Sequence, residues 1–177
     1  MHTVQVAVVG TPLDTRPLAI ALRQAQLHAV PTTPETALRS PGTMLGAALT
    51  VFVGPPGAHP MLETELYEAG QGALHVAWDT RAAQVGPFVA PGHGPCPACL
   101  GHDHAPQLQT GGAHRALVGW AGSLAALQAH AIVRGSTDLV GVSWTWRLSA
   151  PGLGVVGWRK RAGCRAAPRP SGRPPRR

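Results

Sequence analysis

The chain is poor in charge, in aromatic residues and in cysteine. Only 13% of its 177 residues are charged and 5% aromatic, with one Tyr and a single Lys, Lys160. A nucleic-acid-binding domain carries basic residues interleaved with aromatics on a folded face. Residues 1–158 lack that texture, holding seven Arg against eight Asp and Glu, a balance of −1. Three cysteines make an odd count with a CxxC among them, which points to a metal or to free thiols rather than a disulfide scaffold. No apolar stretch approaches the roughly 18 residues needed to span a bilayer. Met1-His2-Thr3-Val4-Gln5 also lacks the basic start of a secretory signal. A cytoplasmic protein with no membrane association is expected.

What is present is an apolar body followed by a basic tail. Hydrophobic residues make up 44% of the chain, enough for one domain with a real core, and Gly (22) and Pro (18) are abundant. The net charge of +7 is misleading until it is located. Arg159, Lys160, Arg161, Arg165, Arg169, Arg173, Arg176 and Arg177 fall after Trp158 with no acidic residue among them. Residues 1–164 therefore read as a single domain, and 165–177 as a disordered Arg- and Pro-rich tail.

Along the body, short apolar runs alternate with helical patterns. Val4–Val9 suits a buried first strand ending at Gly10. Asp14-Thr15 offers N-caps for a helix with Leu18, Ala21, Leu22 and Ala25 on one face. Leu27–Val30 closes a strand–helix–strand unit before Pro31, and a short helix is expected at Pro34–Arg39. Ala47–Val53 reads as a central parallel strand. Met61–Ala69 reads as a helix with Leu62, Leu66 and Ala69 inward and its glutamates outward, and Ala73–Trp78 as the next strand. After Trp78 come a strand at Ala83–Val89, a tight loop to Pro97 and a helix over Ala113–Arg134. That helix is expected to bury Leu117, Trp120, Ala121, Leu124, Leu127 and Ala131. Val140 to Leu148 alternates with period two and turns at Ala150-Pro151-Gly152 into Val155–Trp158, an antiparallel hairpin. The sum is an α/β protein with a mixed sheet, parallel first and antiparallel at its end. The Trp144/Trp146 stripe reads as core or interface packing.

Two places could carry chemistry. The first is the turn after strand one, Gly10-Thr11-Pro12-Leu13. A phosphate cradle needs several glycines and free N–H groups there, and an acidic residue about twenty positions on. One Gly, a Pro without an N–H, and Val30-Pro31-Thr32 at the second strand's end argue against a nucleotide. Gly54-Pro55-Pro56-Gly57 lacks the Lys and Ser/Thr of a P-loop. The second is Cys96-Pro97-Ala98-Cys99, whose two thiolates can grip one zinc. Cys164 supplies a third sulfur, and a His completes a tetrahedral set, with His93, His102 and His104 nearby and His102 taken as the ligand. The alternatives are a knuckle that has lost its ion and, less suited to the flanking prolines, a redox pair. No nucleophile–base pair stands out.

The segment Val85-Gly-Pro-Phe-Val-Ala-Pro-Gly-His-Gly-Pro-Cys-Pro-Ala-Cys-Leu100 resembles the pattern VGPxVxPGxxxCxxCL of ThiF-like (ubiquitin-activating-enzyme-like) partner proteins of azoline-forming, YcaO-type cyclodehydratases. The long Ala-rich helix and the Trp-bearing hairpin are similar to that family too. The resemblance implies a Rossmann-like ThiF-type fold, often with a structural zinc on four Cys. It also implies a role in binding a precursor or leader peptide and presenting it to a separate cyclodehydratase, without adenylation, and packing as a homodimer. This chain departs from the pattern in three ways. Its terminal knuckle reads Ala162-Gly163-Cys164 where the family has Cys-Gly-Cys. The segment after the CxxC is shortened to Gly101–Pro106. No winged-helix leader-binding module is expected before strand one.

The expected function is therefore a non-catalytic recruitment protein in ribosomal-peptide modification. One alternative is a ThiF-type adenylating enzyme, for which only Asp14, Arg16 and Asp79 lie near suitable positions. The other is a nucleic-acid-associated protein acting through its tail.

Overall fold

The computed structural model describes residues 4–100, 108 and 112–164; the basic tail, His102, Asp103 and His104 lie outside the described residues. Strand β1 (Gln5–Val9) leads into α1 (Pro12–Gln24), β2 (His28–Thr32), the short helices α2 (Pro34–Arg39) and α3 (Gly42–Leu45), and β3 (Leu49–Val53). Then come α4 (Pro60–Glu68), β4 (Ala73–Trp78), β5 (Ala82–Val89), a helical turn α5 (Pro97–Leu100), α6 (Arg115–Ile132), β6 (Val142–Arg147) and β7 (Ala150–Gly157). All seven strands form one sheet in the order β2-β1-β3-β4-β5-β6-β7. The first four are parallel and the last three join antiparallel, as the alternating patterns imply.

The sheet's two faces carry separate cores, because successive strand residues point to opposite sides. Val6, Val8, Val51, Leu74 and Val76 pack against Leu18 and Leu22 of α1 and the small residues of α6. Ala7, Val9 and Phe52 pack on the other side against Ala37, Met44, Leu62 and Leu66 of α2, α3 and α4. Burying each of the large side chains stabilises the fold by about 1.5–3 kcal/mol. A third, smaller cluster joins Val89, Leu100 and Trp158 at the amino end of β4, beneath the cysteines.

Five local expectations are corrected. Helix α1 starts at Pro12, not after Asp14, because Thr11 is its cap and accepts from the Asp14 N–H at 3.4 Å. A proline in the first turn costs no hydrogen bond. Strand β2 runs through Pro31 because it is the sheet's edge. The His28 N–H bonds to the Val4 carbonyl and the Gly10 N–H to the Thr32 carbonyl, so alternate residues Ala29 and Pro31 direct their backbone outward. There Pro31 needs no partner, and Arg23 covers the Ala29 carbonyl at 3.4 Å. In α4 it is Glu63 that is buried, while Ala69 is exposed. In α6 the buried face is Leu117, Ala121, Ala125 and Ala129 with Gly122 and Ala126, and Leu127 is exposed. Small residues win because α1 lies close: a Cβ at Gly122 would stand 3.5 Å from the Ala21 Cβ. Finally, β7 begins at Ala150, so the hairpin turn is shorter than the Ala-Pro-Gly signal suggests.

Candidate functional site

The three cysteines converge. The Cys99 and Leu100 N–H groups bond back to the Cys96 carbonyl, closing the one-turn helix that aims both sulfurs the same way. Their Sγ atoms are 3.6 Å apart. The third arrives from the far end of the chain, guided by Trp158. That side chain is buried, with its N–H bonded to the Gly141 carbonyl and its Nε1 donating to Ser143 Oγ at 2.8 Å. A turn through Gly163, at φ +78°, then brings Cys164 Sγ to 3.5 Å from Cys96 Sγ.

All three sulfurs lie within 4.8 Å of one another. With metal–sulfur bonds near 2.3 Å, the edge of a zinc–sulfur tetrahedron is about 3.8 Å, so these sulfurs need move little to hold one ion. Burial pushes the Cys96 thiol up. Burial acts the same way on Cys99, but the Arg161 N–H at 3.4 Å, the backbone at Cys96 and the neighbouring thiols outweigh it and hold that thiol down. The donor set is soft, half-enclosed and braced by a backbone N–H, which fits zinc. The residues lining the site include Ala162, which offers no ligand atom. His93 is exposed and is not gathered with the sulfurs, and His102 lies outside the described residues.

A second feature lies at the opposite end of the parallel strands. A crevice of about 610 Å³ opens where the carboxyl ends of β1, β3 and β4 meet, beside the point where strand order reverses. Open α/β sheets bind ligands at such a place. Its walls are mainly apolar, with Leu13, Val53, Pro55 and Trp78, and Asp14 is the one charged residue among the described residues lining it. Asp14 is not free: Thr11 Oγ1 donates to its Oδ2 at 2.5 Å. The other two candidate residues are elsewhere. Asp79 Oδ1 accepts from the Arg81 and Ala82 N–H groups at 2.7 Å, fixing the β4–β5 turn. Arg16 lines a separate groove between α1 and β2 with Arg23.

The sequence reading missed a buried polar group on α4. Glu63 is 2% exposed, and its carboxylate accepts the Gly57 N–H at 3.0 Å and the His59 N–H at 3.1 Å. It thereby fastens the loop whose start, Gly54 and Pro55, walls the crevice. His75 Nε2 lies 4.0 Å from Glu63 Oε2, too far for a hydrogen bond. Burial, and secondarily nearby His59, holds the His75 imidazole down to about 3, so it is neutral and the contact is no ion pair. Burial pushes Glu63 up, against the His59 and Gly57 N–H groups. The spacing of His59 and Glu63 at one helix start was the available signal, resembling a cap that reaches back to its own N-terminus.

Neither a family model nor a curated protein sequence matches the chain. Solved structures do match in fold. The heterocyclase TruD superposes with a TM-score of 0.68 at 17% identity, over 93% of this chain and 27% of that one. The microcin C7 biosynthetic enzyme MccB, in complex with N-formylated MccA, gives 0.69 at 9% identity, over 92% and 67%. PaaA gives 0.65 at 11%, over 89% and 65%. At these identities the likeness establishes the fold: a ThiF-type mixed sheet, parallel then antiparallel, with the three cysteines brought together. This chain spans about a quarter of TruD's length and two thirds of MccB's. Among the described residues no helix is long and apolar enough to cross a membrane.

Proposed function

We propose that this chain is a non-catalytic recruitment protein in the modification of ribosomally made peptides, binding a precursor peptide, a cyclodehydratase, or both. The observation that carries the reading is the combination of a ThiF-type fold, shared with TruD and with MccB bound to its formylated peptide, and a β1–α1 turn unsuited to phosphate. Pro12 occupies the first helical position and offers no N–H, and the Thr11 hydroxyl and Asp14 carboxylate satisfy each other. Cys96, Cys99 and Cys164 would hold a structural zinc that ties the chain's end to the amino side of the sheet, with His102 the proposed fourth ligand. Its contribution is stability, and no chemical step runs through it.

The test is co-purification with a YcaO-type cyclodehydratase and its precursor peptide, alongside a pyrophosphate-exchange assay. Retention of either partner with no exchange is the expected outcome. Failure to retain both would sink the reading. The crevice with Asp14 in its wall is the one observation favouring the alternative, a ThiF-type adenylating enzyme, and exchange above background would decide for it. The nucleic-acid reading rests on the tail alone. It requires salt-dependent oligonucleotide binding that is lost when residues 165–177 are removed.

A further inference from the structure

The two edges of the sheet are built differently, and among the described residues the β7 edge is open. The Trp158 N–H bond to the Gly141 carbonyl sets the alternation of the β6–β7 ladder. With Ser143 opposite Val156 and Thr145 opposite Gly154, these residues face each other through hydrogen bonds. The residues between them, Leu153 and Val155, therefore turn their N–H and C=O groups away from the sheet. Their side chains, 56% and 61% exposed, point to the same face as their partners Trp146 and Trp144. Trp146 continues that apolar surface onto α6 through Trp120, with ring centroids 6.2 Å apart. Free backbone groups beside exposed apolar side chains at alternate positions are what an added strand needs.

Charge decides what kind of strand. After Asp138 the sequence contains no acidic residue, and β7 is bracketed by Arg147 at one end and Arg161 at the other. The chain's own tail is basic and would be repelled. A second copy paired across a two-fold axis would set Arg147 against the other copy's Arg161. We infer that the β7 edge and its Trp144/Trp146/Leu153/Val155 face bind an extended segment of a partner polypeptide, apolar at alternate positions and flanked by Asp or Glu. This rests on the peptide-partner reading and names the surface that would serve it.

The probe is a synthetic peptide of about nine residues, Asp-Glu-Val-Thr-Leu-Thr-Val-Asp-Glu, and a control with Lys at the four acidic positions. Both are titrated into the full chain and followed by tryptophan fluorescence. The acidic peptide should bind and the Lys control should bind at least about tenfold more weakly, with the gap narrowing in high salt. Val155→Pro removes an outward N–H without breaking the β6 ladder and should weaken binding by about tenfold or more. The double variant Leu153→Thr, Val155→Thr keeps the backbone and strand propensity, and should lose affinity while its thermal unfolding stays cooperative. Equal affinity for the two peptides, wild-type binding by both variants, displacement of the peptide by an oligonucleotide, or self-association that Val155→Pro abolishes would each overturn the inference. The two readings fail separately. If Val155→Pro retains every partner that the wild type retains, and as fully, the edge is wrong and the partner reading stands. If the wild type retains neither partner while the probe still binds, the partner reading falls alone.

Discussion

Replacing His75 should change how the protein tolerates acid. The side chain is 1% exposed, stacked on Phe52 at 5.5 Å, and neither ring nitrogen has a hydrogen-bond partner among the described residues. Burial holds its imidazole down to about 3, against an ordinary value of 6.5. The unfolded chain therefore takes up a proton on this residue as pH falls below 6.5, and the folded chain does not until near 3. Stability from this group is fully present above 6.5 and is lost toward 3, at about 1.4 kcal/mol per pH unit once the slope develops. Between pH 7.5 and 4.5 the loss is roughly 2–3 kcal/mol. Glu63 has the opposite sign: burial raises its carboxyl, so its contribution is complete below the ordinary carboxylate range and fades as pH rises through the raised value. His75→Phe removes the first group, spares the second and keeps a ring against Phe52. At pH 7.5 the variant should lie within about 1.5 kcal/mol of wild type, since overpacking and the removal of two unpaired nitrogens oppose each other. Urea unfolding at pH 7.5, 6.5, 5.5 and 4.5 should show the gap moving in the variant's favour by roughly 2–3 kcal/mol. Parallel stability profiles for the two proteins would refute the reasoning.

Three further outcomes follow from the same geometry. Gly86→Ala should unfold the protein or lower its melting temperature severely, because φ is +99° and a Cβ would sit 2.4 Å from the Val142 carbonyl oxygen; circular dichroism melting checks it. Ser143→Ala should cost about 1–3 kcal/mol by urea denaturation, since Ser143 Oγ accepts from Trp158 Nε1 at 2.8 Å and from Gln84 Nε2 at 3.3 Å in a buried setting. Cobalt added to protein stripped of metal should give sulfur-to-metal charge-transfer absorption, weakened in Cys96→Ser and Cys164→Ser alike. Absorption unchanged in Cys164→Ser would remove that residue from the site.

The fold was largely legible because its signals are local. Continuous apolar runs marked the central strands, and period-two alternation marked the antiparallel end. The joining of Cys164 to the CxxC pair was legible by elimination, since it is the one cysteine outside that pair. What escaped detection depended on long-range neighbours. Glu63 looks like one more surface glutamate on α4 until the preceding loop folds over it and offers two N–H groups. Leu127 looks like core until α1 comes close enough to favour alanines and Gly122 instead. Pro31 looks like a strand stop unless its strand is known to be the outermost one.

That last residue has a consequence for assembly. A sheet with two receptive edges can propagate chain to chain into a filament. Here one margin is blunted by a residue with no donor to give and by the Arg23 side chain over the neighbouring carbonyl. Strand pairing at this margin is disfavoured, so a strand docked at the opposite margin would meet no equally receptive edge among the described residues. An edge proline and the neighbouring Arg23 thus work against open-ended polymerisation through the sheet.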